Sequence, residues 1–139
     1  VLEHVHDPGG FVKNLMRLAR PGGMVFVSTL CINGFDLQIL WNKSTQIFPP
    51  HHINFLSVKG FETLFARLGL VDVSVTTPGK LDVDIVRNAS HQDPDLLHGQ
   101  RFLQNLINDD QAAAAFQDFL AKNRLSSHAW VIGKVPRKY

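Results

Sequence analysis

The chain has 139 residues, 45% of them hydrophobic, and a net charge of +2, which is typical of one folded domain with a sizeable core. No apolar run reaches the roughly 18–20 residues of a membrane-spanning helix, and much of the basic excess sits in the terminal pair Arg137-Lys138 rather than in a nucleic-acid-binding patch. The single cysteine, Cys31, excludes an internal disulfide and favours a reducing, cytoplasmic location.

The first two predicted elements are a helix over 8–19 and a strand over 24–30. Asp7 is a typical N-cap, Pro8 suits the first helical position, and apolar residues then recur at helical spacing. The Pro-Gly-Gly sequence at 21–23 ends the helix, because proline cannot continue it and glycine accepts positive φ. The continuous apolar run that follows is typical of a strand covered on both faces, as in a parallel sheet flanked by helices.

The middle of the chain alternates between helical and extended patterns. We predict a short helix from Phe35 to Asn42, a helix that Ser57 caps and Gly69 ends, and an alternating strand over 71–77. The segment from Leu81 to Ala89 fits either a strand or a helix, and a helix is favoured.

Three elements are predicted after that segment. Asp93-Pro94 and Asp109-Asp110 each begin a helix, and Ser127 to Val135 form the last strand.

Several strings in this order resemble one protein family. They are Leu2-Glu3-His4-Val5, Asp7-Pro8, Arg20-Pro21-Gly22-Gly23, a strand ending in Ser28-Thr29, Pro50-His51-His52, Phe55-Leu56-Ser57 and Leu68-Gly69-Leu70. Together they resemble the C-terminal half of a class I S-adenosylmethionine-dependent methyltransferase of the bacterial small-molecule type. The resemblance covers about residues 1–77 well.

The resemblance implies an α/β fold, a partial Rossmann-like methyltransferase sheet with flanking helices. Residues 24–30, 71–77 and 128–135 would be strands five, six and seven, and the seventh would insert antiparallel between the other two. Residues 1–139 would be the C-terminal part of a single domain. The N-terminal cofactor-binding half would be absent, since no Gly-x-Gly-x-x-Gly occurs and the chain opens on Val1 without a methionine.

Two groups of candidate residues follow from the resemblance and from histidine chemistry. Leu2, Glu3 and His4 would belong to the pocket for S-adenosylmethionine, or else only lead into the first helix. His51 and His52 are candidate catalytic residues, because an imidazole can accept a proton near neutral pH. The alternative is that these two histidines bond loop carbonyls.

Other polar and aromatic residues are weaker candidates. Phe35 and Trp41 could line a substrate pocket, although a role in the core or in a lid is equally compatible. His4, His6, His51 and His52 match no structural zinc spacing, so we predict no metal. Asp82 and Asp84 are expected to be solvated, and His128 and Trp130 to be structural.

The predicted function is methyl transfer from S-adenosylmethionine to an O, N or C nucleophile of a small molecule by the intact protein. This fragment would be inactive alone. The alternative is a non-catalytic α/β interaction or assembly module, which would lack an upstream glycine-rich loop. An exposed sheet edge or apolar face predicts a homo-oligomer.

Overall fold

The structure is a computed structural model that describes residues 1–137. Among these residues no helix is both long and apolar enough to cross a membrane. The helices are α1 (Pro8–Leu18), α2 (Phe35–Leu40), α3 (Val58–Arg67), α4 (Asp82–Gln92), α5 (Arg101–Asn108) and α6 (Asp110–Lys122), the strands are β1 (Met24–Leu30), β2 (Val71–Thr76) and β3 (His128–Lys134), and 3-10 helices cover Leu2–His4 and Trp41–Lys43.

The three strands form one sheet in the order β1-β3-β2. Strand β3 is antiparallel to both neighbours, and Val131 stands opposite Val27 on one side and Val75 on the other. The last strand is therefore inserted between the first two, as the sequence predicted. An irregularity between Val71 and Ser74 shifts the register at the start of β2.

One face of the sheet carries the larger core. Val27, Val75 and Val131 are buried there together with Phe61 and Phe65 of α3. The two helices nearest this core begin where the sequence predicted, because the side chains of Asp7 and Ser57 accept hydrogen bonds from the amides of Gly10 and Gly60.

The opposite face of the sheet is exposed in the described residues. Met24 is 74% exposed, Phe26 53% and Trp130 42%, and the rings of Phe26 and Trp130 meet edge to face with their centroids 5.7 Å apart. Cover on both faces was expected of the intact sheet, and residues 1–137 leave one face open, which is the exposed apolar face that the sequence also predicted for the fragment. A continuous apolar run still alternates between two faces along a strand, and only one face has helices packed on it.

Helices α4, α5 and α6 pack into a second, smaller core. Its buried members are Leu40, Val83, Val86, Leu97, Ile107, Ala113 and Leu120. The segment from Leu81 is helical, as favoured. The prediction that a helix starts at Asp93-Pro94 is wrong, because residues 94–100 form turns that end at Gly99 with φ +78° and Gln100, and α5 begins at Arg101.

Candidate functional site

The loop over 44–56 packs against the 3-10 helix Leu2–His4. The amide of Ile53 donates to the Glu3 carbonyl oxygen at 2.8 Å, and the Asn54 side-chain amide donates to the Val5 carbonyl. These bonds bring the rings of His4 and His52 to a centroid distance of 4.6 Å. Two segments almost fifty residues apart therefore form one histidine cluster.

Hydrogen bonds fix the orientation of both rings. The Nδ1 atom of His4 lies 2.9 Å from the carbonyl oxygen of His51, and Nδ1 of His52 lies 2.6 Å from that of Gln46. A carbonyl oxygen can only accept, so each Nδ1 carries a proton, and in the neutral ring Nε2 is then the nitrogen with the lone pair. The ring of His51 instead stacks on Phe48, with centroids 5.3 Å apart.

Glu3 provides a negative charge beside these rings. Its Oε2 accepts hydrogen bonds from the Thr29 hydroxyl and the Val1 amino group, each at 2.6 Å, and its Oε1 lies 3.5 Å from Nε2 of His4. Burial raises the pKa of Glu3, whereas the hydrogen bonds from Thr29 and from the Val1 amino group, which is charged only as a chain terminus, lower it. The carboxylate is therefore charged at neutral pH.

A second feature is a pair of buried carboxyl groups. Asp36 is 0% exposed, and among residues 1–137 neither of its oxygens has a hydrogen-bond partner. Asp82 is 2% exposed and accepts from the Ser126 hydroxyl (2.5 Å), the Ser127 amide (2.8 Å) and the Gln117 side-chain amide (3.0 Å). Burial, together with the charge of Asp82, raises the pKa of Asp36 to about 6.

These carboxyl groups line a cavity of about 390 Å³ next to the end of β1. Leu30, the last residue of β1, also lines it, as do Lys80 and His128. A carboxyl group with a pKa near 6 can accept a proton from a hydroxyl or amine, but Asp36 is fully buried, so a ligand in the cavity reaches it only if the wall opens. Sequence reasoning missed Asp36, although an isolated acidic residue within the apolar run from Phe35 to Leu40 was a usable signal.

The structure corrects the prediction for Asp82 and shows where Asp84 and His6 lie. Asp82 was expected to be solvated and is buried, because it accepts hydrogen bonds from three neighbouring groups. Asp84 is exposed, as expected. His6 is also exposed, and it lies outside the group that Glu3, His4 and His52 form.

Three other predicted site residues are Leu2, Phe35 and Trp41, and none of their side chains belongs to the histidine cluster. Leu2 is buried in the larger core, while its carbonyl faces the Asn54 side chain at 3.4 Å. Phe35 packs edge to face on Phe116 at 5.1 Å, and Trp41 is 57% exposed on the second 3-10 helix. The roles of these residues stay predictions.

The structure is an α/β domain whose sheet order β1-β3-β2, with an antiparallel last strand between the other two, is the order that the resemblance implied for strands five, seven and six. Residues 1–75 match a family model described as a methyltransferase domain. Since this match covers more than half of the chain, the chain belongs to that methyltransferase family, whose cofactor is S-adenosylmethionine. The resemblance seen in the sequence is confirmed.

Individual relatives match less of the chain or match it more distantly. A 30-residue segment, 22% of this chain, is 53% identical to the ubiquinone biosynthesis O-methyltransferase of Caulobacter vibrioides and spans 12% of that protein. A Haemonchus contortus phosphoethanolamine N-methyltransferase 2, solved with phosphomonomethylethanolamine and S-adenosylhomocysteine, is 17% identical over 99% of this chain, with a TM-score of 0.47. This chain covers 32% of that structure.

A further solved structure is YjhP from E. coli. It is 14% identical over 86% of this chain and 52% of its own, with a TM-score of 0.31. The chain thus spans a small part of the curated relative and about a third to a half of these solved chains.

Proposed function

We propose that residues 1–139 are the C-terminal part of a single methyltransferase domain. The intact protein would transfer a methyl group from S-adenosylmethionine to an O, N or C nucleophile of a small molecule. The observation that carries this proposal is the family match over residues 1–75, because that range contains both segments of the histidine cluster.

The turn formed by Leu2, Glu3 and His4 would be the cofactor side of the site. The cofactor supplies an electrophilic methyl group on a positively charged sulfur. A carboxylate such as Glu3, held charged by Thr29, favours a cationic ligand nearby. Leu2 would act by anchoring the turn in the core, which keeps its neighbours in place.

Proton removal from the acceptor would fall to His51 or His52. Nε2 of His52 keeps its lone pair, whereas the ring of His51 stacks on Phe48, so His52 is the better base. Asp36 would contact the acceptor only after the wall of the neighbouring cavity opens, because its carboxyl is now fully buried. Phe35 and Trp41 would flank the acceptor only if the loop between β1 and α3 moves, since Phe35 now packs on Phe116.

Turnover by the polypeptide that the native gene encodes tests this function. With labelled S-adenosylmethionine and a small-molecule extract as the acceptor pool, we expect methyl transfer, and none from residues 1–139 alone. His52→Ala should lower the rate by about 10²–10⁴-fold, the usual contribution of a general base. The exposed His98 is a matched control, so His98→Ala should leave the rate unchanged.

Two results would contradict the proposal. Absence of transfer in a gene product without an upstream glycine-rich loop would favour the non-catalytic interaction module. Full activity in both His51→Ala and His52→Ala would remove the histidines from catalysis.

The exposed sheet face predicts self-association of residues 1–139. Met24, Phe26 and Trp130 leave apolar surface in water, and a second copy would cover it. Light scattering should show a dimer or larger assembly, which Phe26→Ser should shift toward monomer. Phe102→Ser on α5 is the control, because Phe102 is also exposed but lies off the sheet. A monodisperse monomer of the unaltered chain would refute this prediction.

A further inference from the structure

We propose that Glu3, His4 and His52 form a binding site for a divalent transition-metal ion such as Zn²⁺. Each residue offers one ligand atom, and the three atoms lie within 4.8 Å of one another. The proposal does not rest on methyl transfer, since it concerns ligand atoms that are close together whatever the reaction is.

The distance between two of the three ligand atoms is close to that expected around a bound ion. Ligands about 2.0–2.1 Å from a tetrahedral Zn²⁺ are roughly 3.3 Å from each other. Oε1 of Glu3 and Nε2 of His4 are already 3.5 Å apart. The third ligand atom, on His52, lies within 4.8 Å of these two, so it must move by at most about 1.5 Å to reach the tetrahedral separation.

Hydrogen bonds with neighbouring groups orient the three ligands for metal binding. Both imidazoles donate Nδ1–H to backbone carbonyls, which is the usual way in which metal-binding histidines are fixed with Nε2 free. The hydroxyl of Thr29 donates to Oε2 of Glu3 at 2.6 Å, and Oε1 faces Nε2 of His4 at 3.5 Å.

The chemistry of the ligand set indicates which ions fit. Two imidazoles and one carboxylate with a solvent-exposed side suit Zn²⁺ or Fe²⁺ and leave a coordination position open. The sequence analysis considered His4, His6, His51 and His52 together and predicted no metal, because their spacing matches no structural zinc pattern. The structure brings His4 and His52 of that group together with Glu3, whereas His6 lies outside the cluster and the ring of His51 stacks on Phe48.

A bound ion would change the role of His52. Its only free nitrogen would be a ligand, so His52 could not also accept a proton from an acceptor. Metal binding and general-base catalysis by His52 therefore belong to two different states of the protein, and the base proposed above is His52 of the metal-free form.

Calorimetric titration of ZnCl₂ into metal-free residues 1–139 tests the site. We expect one equivalent bound with a Kd in the micromolar range or tighter. His4→Ala and His52→Ala should each weaken binding at least tenfold, and Thr29→Val should weaken it by about 10–100-fold, as for other supporting groups. His6→Ala is the matched control, because His6 is two residues from His4 and outside the cluster.

Cobalt substitution adds a readout that folding defects cannot mimic. The Co²⁺ form should show ligand-field absorption of a four- or five-coordinate site, which His52→Ala should abolish while its circular dichroism stays that of the unaltered chain. No binding, or equal binding by His52→Ala and His6→Ala, would overturn the proposal. Metal binding without methyl transfer by the gene product would refute the proposed function alone.

Discussion

Asp36→Asn is expected to raise the free energy of unfolding at pH 8 by about 3 kcal/mol, the equivalent of the rise of about two units in the pKa of Asp36. At that pH the unaltered chain must fold with a charged carboxylate that has no hydrogen-bond partner among residues 1–137 and lies beside Asp82. An asparagine of the same size carries no charge and can donate to Asp82. Urea unfolding at pH 8 measures the change.

The same substitution should remove a pH dependence. The pKa of Asp36 is raised from 3.8 to about 6 on folding, so between these values the folded state binds more protons and stability falls as pH rises. Below about pH 4 the two chains should therefore differ little. Asp118→Asn is the control, since Asp118 is exposed and should change stability by less than about 0.5 kcal/mol.

A destabilised Asp36→Asn variant at pH 8 would contradict this account. It would mean that the Asp36 carboxylate has a partner in solution, such as a bound cation. The cavity beside it would then be occupied rather than open.

Gly34→Ala is expected to destabilise the chain by about 3 kcal/mol or more, at the upper end of overpacking. A Cβ at this position would lie 2.3 Å from both Cα and Cβ of Ser127 and 2.4 Å from its amide nitrogen. These are mostly backbone atoms at the start of β3, and they cannot move aside as the end of a flexible side chain can. The loop after β1 would have to lift away from Ser127.

The lifted loop would also disturb the carboxyl pair. The Ser127 amide donates to Asp82, and its carbonyl accepts from the Cys31 amide at 2.7 Å. Gly9→Ala is the matched control, because Gly9 lies in α1 and its nearest atom is Oδ1 of Asp7 at 3.4 Å. Equal unfolding free energies for the two variants would show that the close approach of Gly34 to Ser127 does not persist in solution.

Local signals account for what the sequence predicted well. Asp7-Pro8 and Pro21 to Gly23 bracket α1, and β1 has the predicted bounds of 24–30. These boundaries depend on caps, proline and glycine, whose effects act within a few residues. The insertion of the last strand came from the family resemblance, because strand order is a long-range property.

The errors share one physical origin. The burial of Asp82 depends on residues far away along the chain. Asp93-Pro94 is a valid helix start by local rules, but the chain turns through residue 100 before α5 forms. The addition of Glu3 to the pair His4 and His52, and the burial of Asp36, likewise depend on contacts between segments distant in the chain.

The central claim is that the turn at residues 2–4 lies at the cofactor site of a methyltransferase. Hydrogen–deuterium exchange of the gene-encoded polypeptide, with and without saturating S-adenosylhomocysteine, tests it most directly. We predict protection of the peptide that covers Leu2–His4 and no change in the peptide that covers α5. Absence of ligand binding, or binding that leaves Leu2–His4 unprotected, would contradict the claim.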